Sequence, residues 1–348
     1  MEDVKKDEIL FTIPRGSLLT RKTCRYRETI KKYCARQGWV PLMWSIILEK
    51  ADKETSFWKP YFDIVPDWID LPSTWSEDEQ GRRLAGTGLE HLIPETEDQF
   101  KKLFLAHKDK FTQTKDLTVN EFKRLFHFAG SLTSAYSFTE DAEKIEDIAI
   151  VPLADILNHR TNCNNARLFY GADVLKMVCI RDVSAGEQLF NTYGDLSNSQ
   201  LFIKYGYVDA ENPFNVVHFD LEWLIEEIKA HRGDQAALLL GSERTLDALV
   251  DNFYDEIEPT IDAKADFSFE GLKRIFHWLY LLTLPNGTSP KQWKPKREYG
   301  TEWIRLNKDV ILKILQARIK MYPQDKILNI EQITSNNVEL RMTSIDPL

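Results

Sequence analysis

An α+β fold follows from three features of the chain. Short β-rich runs cluster between Ile148 and Tyr193, a further strand-like run stands far upstream at Glu8–Pro14, and helical periodicity fills the long stretches on either side. The upstream run reads Glu8-Ile-Leu-Phe-Thr-Ile-Pro14, and Val4 with Lys5-Lys6-Asp7 before it reads as the exit of another strand into a turn. From Arg27 to about Lys50 the pattern is helical, and Pro41 suits the first turn of the apolar run Leu42–Leu48. Ser56–Phe62 and Trp68–Trp75 form a connector rich in proline and tryptophan. Periodicity returns at Glu97–Leu105 and at Asn120–Tyr136, where Phe122, Leu125, Phe126 and Ala129 repeat at i, i+3, i+4 and i+7. An acidic loop, Glu140–Asp147, precedes the central stretch.

That stretch opens with an apolar run, Ile148–Leu157, ending in Asn158-His159. Polar side chains on a segment built for burial need partners. Arg167–Tyr170 and Val174–Ile180 are joined by Gly171-Ala172-Asp173, the length and chemistry of a hairpin. A third strand-like run, Glu187–Tyr193, follows a Ser184-Ala-Gly-Glu turn and stops at Gly194. Asn198–Tyr205 has the apolar spacing of a short helix. The chain thus divides into an N-terminal part (1–20), a helical insert (about 21–147) and a core (148–208). A separate all-α domain (212–348) follows, with helices expected at Leu221–His231, Gln235–Asn252, Phe269–Leu284 and Trp303–Met321, the last closed by Pro323. No fixed-period repeat is visible, which excludes a solenoid.

The 348 residues are 43% hydrophobic, ordinary for a globular chain. A formal net charge of −9 argues against a phosphate backbone as the main partner and suits a positively charged protein. No apolar run reaches the length of a membrane span, and the opening MEDVKKDE has no signal-peptide core, so an intracellular location is expected. Cys24, Cys34, Cys163 and Cys179 show no CxxC pairing, so neither a metal site nor a disulfide framework is indicated.

The order Asn158-His159, hairpin, Gly186-Glu187-x-x-x-Asn191-x-Tyr193-Gly194, short helix, Tyr205-Gly206-Tyr207-Val208 resembles the SET-domain protein lysine methyltransferases. It looks most like the non-histone branch typified by Rubisco large-subunit methyltransferase and the fungal ribosomal-protein lysine methyltransferases. Trp58-Lys59-Pro60-Tyr61 matches a segment of that branch's helical insert. The resemblance implies transfer of a methyl group from S-adenosylmethionine to a lysine of a protein, plausibly ribosomal, in the nucleus or cytoplasm, with no direct nucleic acid partner. It also implies that 212–348 docks that protein.

By the same resemblance Tyr193 is the catalytic tyrosine, and Tyr136, Asn158, His159 and Tyr193 hold the methyl donor, His159 chiefly through its backbone. Tyr205 lines the lysine channel, and Trp39, Ser137 and Thr139 touch the peptide. Each has a plainer reading. Tyr193 and Tyr205 are then buried tyrosines bonded to backbone carbonyls, Trp39 is a core aromatic, and Ser137 and Thr139 are loop hydroxyls. The resemblance would place Ser-Arg-Ala-Phe where Thr133-Ser134-Ala135-Tyr136 stands, so Ser134 is a departure that removes the arginine expected to meet the donor carboxylate. The resemblance further implies a Gly-rich strand before Glu8 that this sequence does not show, and a truncated start is the expectation. The alternative function is a SET-fold module that binds a partner without catalysis.

Overall fold

The computed structural model describes residues 2–34, 38–52, 54–85, 87–89, 93, 96–140, 148–232, 260–262, 269–281 and 301–321. In chain order β1 (Ile9–Pro14) leads to α1 (Arg27–Cys34), α2 (Val40–Ala51) and α3 (Lys59–Phe62). Next come α4 (Glu77–Leu84), α5 (Thr96–Gln99) and α6 (Val119–Tyr136), then β2 (Ser137–Thr139) and β3 (Ile148–Ile150). Four short strands follow: β4 (Asn158–His159), β5 (Ala166–Tyr170), β6 (Val174–Cys179) and β7 (Phe190–Asn191). The chain continues through α7 (Asn198–Tyr205), β8 (Val216–His218), α8 (Leu221–Arg232) and β9 (Thr260–Asp262), and then helices Phe269–Leu281 and Thr301–Met321.

The chain forms two compact units. The first takes Met1–Ser76, Ile93–Leu196 and Gln200–Glu211; the second takes Glu77–Leu92, Ser197–Ser199 and Asn212–Leu348. In the first, β6 is central, antiparallel to both β1 and β5. Alternation along β6 explains its seat: Leu175, Met177 and Cys179 are buried while Lys176 is exposed. The hairpin turns where expected. A Cβ on Gly171 would stand 2.7 Å from the Val174 carbonyl oxygen, which already accepts the Gly171 N–H, so only glycine fits there. Upstream, Val4 bridges Val183, and Asp7 adopts φ 68° in the turn before β1.

The expected strand Glu187–Tyr193 shrinks to Phe190–Asn191. Its backbone is occupied otherwise: the Asn165 amide donates to the Gln188 carbonyl at 2.8 Å and accepts from the Phe190 N–H at 2.7 Å. A side chain thus replaces a neighbouring strand, leaving two residues to pair in parallel with β4.

In the insert, α2 and α6 pack around aromatic rings. Trp44 stacks on Phe104 and Phe111, and Phe126 meets Phe100 and Phe104. The expected helix Glu97–Leu105 is α5 continued by a π turn, Phe100–Phe104, and a 3-10 turn, Leu105–Lys110. The wider turn keeps Phe100 and Phe104 both buried against Phe126. Helix α6 starts one residue earlier than the periodicity suggests, because Thr118 and Glu121 form a capping box.

The second unit carries its own buried side chains, among them Leu224, Ile228, Ile275, Leu279, Ile311 and Ile314. It is not purely helical, since β8 and β9 pair antiparallel, with Val216 opposite Asp262. The β-branched pair Val216-Val217 favours that strand. The expected helix Gln235–Asn252, the stretch Leu282–Leu284, Pro323 and most of the loop Glu140–Asp147 lie outside the described residues. Among the described residues no helix is long and apolar enough to cross a membrane.

Candidate active site

The site is built where β4 and β7 meet. Their parallel pairing sets His159 opposite Asn191 and delivers Tyr193 two residues later beside the imidazole. The Tyr193 N–H donates to His159 Nδ1 at 3.1 Å, and the two rings stack at 5.1 Å and 18°. With Nδ1 accepting, the neutral imidazole carries its proton on Nε2, which faces Thr161 Oγ1 at 3.5 Å. Burial holds the His159 pKa below its usual value. A histidine so committed is a brace, with no free lone pair for a proton.

On its other side Tyr193 stacks on Tyr205 at 4.5 Å and 27°. Helix α7 brings Tyr205 there and ends at Gly206. Its φ is 77°, and a Cβ would stand 2.7 Å from the Asp70 carbonyl oxygen, so glycine is required by both conformation and space. Ser134 ties this helix to α6, its hydroxyl donating to the Lys204 carbonyl at 3.1 Å. Ser134 is therefore used structurally.

The Tyr193 hydroxyl donates to the Leu157 carbonyl at 3.0 Å. Burial, reinforced by Tyr205, Tyr136 and Asp155, pushes its pKa up to about 12, and burial alone takes Tyr205 to about 12. Both stay neutral phenols over the physiological range. The oxygen of Tyr193 spends its proton on Leu157 and keeps its lone pairs as acceptors. Tyr136, at the C-terminal end of α6, is half-buried, and burial with the nearby Asp155 raises its pKa too.

The other expected residues separate. Asn158 is exposed and His159 buried, as alternation along β4 requires. Ser137 and Thr139 lie on β2, paired with Ile150 and Ile148, and the Ser137 hydroxyl donates to the Thr133 carbonyl at 2.5 Å. Trp39 is half-buried, stacks on Phe104 at 6.4 Å and packs against the insert's aromatic core, the contacts of its plainer reading.

Two residues around the stack were given no role from the sequence. Asp155 accepts from the Tyr61 hydroxyl at 2.7 Å, and burial raises its carboxyl to about 6. It sits in a short turn after Leu153, whose φ is 74°. A carboxylate inside the apolar run Ile148–Leu157 was the visible signal. Tyr207 is half-buried, its hydroxyl oxygen is out of reach of solvent and finds no hydrogen-bond partner, and burial with Tyr193, Asp209 and Tyr205 nearby raises its pKa. The Thr133 hydroxyl is likewise buried and unpartnered. The unmatched Tyr207 hydroxyl beside the neutral phenols of Tyr193 and Tyr205 is a polar group that a small polar ligand could use.

This chain belongs to the SET-domain family, whose model matches residues 1–194. Among individual proteins it is 37% identical over 232 residues to "N-lysine methyltransferase setd6" of Xenopus laevis, covering 60% of this chain and 50% of that protein. It is 34% identical over 228 residues to "N-lysine methyltransferase SETD6" of Homo sapiens, covering 60% and 47%. The chain thus spans about half the length of the curated relatives it matches. Solved structures share the fold: the SET domain of LSMT bound to lysine and AdoHcy, with TM-score 0.65 and 17% identity over 99% of this chain and 78% of that one. Rubisco LSMT bound to AdoMet has TM-score 0.63 at 17% identity over the same shares.

Proposed function

We propose that this chain is an S-adenosylmethionine-dependent protein-lysine N-methyltransferase in which Tyr193 is the catalytic tyrosine. The observation that carries this reading is the stack His159–Tyr193–Tyr205, with the Tyr193 phenol neutral and its hydroxyl fixed on the Leu157 carbonyl. The names of the similar proteins support it. S-adenosylmethionine supplies an electrophilic methyl group on a sulfonium. Asn158, His159, Tyr136 and Tyr193 would hold it, and the unpartnered hydroxyls of Tyr207 and Thr133 fit its polar groups.

The chain's own task is then to present an unprotonated lysine amine. A lysine ammonium has a reference pKa of about 10.4, and removal from water lowers it. Buried rings of Tyr193, Tyr205 and Tyr207 provide the low-dielectric surroundings. The Tyr193 oxygen, its proton committed to Leu157, accepts from the amine N–H or from a polarised methyl C–H and so fixes the line of approach. His159 holds the backbone of Tyr193 and takes no proton.

The substrate we assign is a lysine-bearing protein, with a ribosomal component of the nucleus or cytoplasm as the first class to screen. The region from Asn212 onward is assigned to docking it. Calorimetric titration with S-adenosylmethionine and transfer of labelled methyl to protein fractions test the reading. No heat of binding and no label in any fraction would leave a fold without this chemistry. Charge reversal at exposed Glu222 on α8 should raise the Michaelis constant for the protein with little change in turnover; an unchanged constant removes the docking role from that face.

A further inference from the structure

A concave feature lies elsewhere in the first unit. A cavity of about 910 Å³ runs beside α2, α3 and α6. Consecutive residues of α3 separate it from the tyrosine stack: Tyr61 reaches Asp155, while Phe62, about 100° further round the helix, forms a wall of the cavity. Phe62 and Phe128 meet edge to face at 6.1 Å and 72°, making a two-sided aromatic corner. The Lys50 ammonium occupies that corner, 4.0 Å from the centroid of the Phe128 ring and 5.6 Å from that of Phe62. Its ion partner is Asp67, at 3.1 Å.

The chain thereby displays on itself the ligand chemistry the corner accepts: an apolar stem ending in an ammonium over a ring face. The rest of the lining has the complementary sign, with six carboxylates against the three cations Lys50, Lys59 and Arg124. Glu49 and Asp52 are turned to Arg25, Ser56 and Thr55, and Glu121 caps α6 at Thr118, so the outward-facing charge is that of Glu54, of Asp67 and of Asp63, the last paired with Lys59 at 2.6 Å, all three exposed.

We propose that this groove docks a lysine-bearing basic segment of a partner protein. An incoming ammonium exchanges with that of Lys50 over Phe128, and neighbouring cations of the segment meet Glu54, Asp63 and Asp67. The occupant is a basic partner and not a second copy, because a chain of net charge −9 repels its own kind at an acidic rim. The groove is distinct from the tyrosine stack, so the proposal stands independently of the methyl-transfer reading.

Fluorescence anisotropy of a labelled peptide of alternating lysine and glycine, titrated with the full chain at low salt, tests it. Glu54→Lys and Asp67→Lys, both at exposed positions, should each weaken binding by roughly three- to tenfold, an effect that shrinks as salt is added. Lys50→Ala should tighten it by roughly threefold, the order of one exposed cation–π contact regained. Asp173→Lys, an equal charge change in the β5–β6 turn, is the control and should leave binding near its starting value. Acetylating the peptide lysines should abolish binding. The proposal is overturned if Asp173→Lys weakens binding as much as the groove variants, or if Lys50→Ala weakens it or leaves it unchanged. It is equally overturned if the groove variants shift the sedimentation of the chain alone, which would make a second copy the occupant. Unchanged melting of Asp67→Lys confirms that the groove, not the fold, was altered.

Discussion

Two aromatic stacks in one unit have opposite characters. In the insert, Trp44, Phe104, Phe111, Phe122 and Phe126 pack ring on ring with Phe104 and Phe122 fully buried. At the candidate site His159, Tyr193 and Tyr205 stack with similar spacing, yet every ring carries a polar atom, whereas of the five insert rings only Trp44 does, its indole N–H buried without a partner as is the Tyr207 hydroxyl beside the site. The first stack is a device for stability, since apolar burial and ring contacts add directly. The second holds polar groups out of water, which is costly unless something else uses them. Similar ring geometry thus occurs in a core and at the candidate site, and the phenol hydroxyls distinguish the two.

The largest effect expected of that contrast is on stability. Phe122→Ala should cost about 3–5 kcal/mol, because the side chain is fully buried and its neighbours leave a cavity. Denaturant unfolding measures it, and a loss under about 1 kcal/mol would mean that the insert core is loosely packed.

The next test reaches the polar stack through Asp155, whose carboxyl is raised from 3.8 to about 6. A raised folded value means the native state binds more protons between those values. The contribution to stability is therefore full below about pH 4 and is lost as pH rises through about 6. Asp155→Asn should flatten that part of the profile, a difference of roughly 3 kcal/mol from end to end at 1.36 kcal/mol per pKa unit. Parallel profiles for wild type and variant would place the carboxylate in a wetter setting than its burial implies.

A smaller energy with a larger functional reading comes from Tyr193→Phe. Turnover should fall by roughly tenfold or more, about 1.4 kcal/mol upward, while donor affinity changes less. If stability rises and turnover holds, the site stack is only a second core. The smallest effect expected is from Ser134→Ala, which removes one hydrogen bond to the Lys204 carbonyl. It should cost about 0.5–1.5 kcal/mol in unfolding free energy, with turnover reduced only as far as Tyr205 shifts.

Periodic elements were readable in advance. The hairpin, α6, α7 and the ordered Asn158-His159, Tyr193 and Tyr205 carry their patterns in consecutive residues, and the structure brings His159, Tyr193 and Tyr205 into one stack. What escaped depends on long-range pairing. Nothing local in Glu187–Tyr193 reveals that Asn165 takes its backbone groups, and nothing near Tyr61 shows that its hydroxyl meets Asp155. The β8–β9 pair was hidden because β9 is three residues long in a region of helical pattern. Trp39 was ambiguous in sequence because one aromatic suits a groove and a core equally, and its ring stacks on Phe104 while staying half-buried.

The parallel bridge between β4 and β7 also bears on how the molecule is assembled. It joins segments separated by the whole β5–β6 hairpin and rests on two residue pairs. Contacts between distant segments form only after the entropy of closing the intervening loop has been met, whereas the hairpin needs only its own turn. The hairpin therefore serves as a clasp that shortens the effective loop, and the tyrosine stack closes afterwards. A register so brief is also among the first to open, so the amide of Tyr193, held on His159, should exchange with solvent deuterium well before those of β6. The bridge that carries His159 and leads to Tyr193 is, on this view, the last stitched and the most readily unpicked.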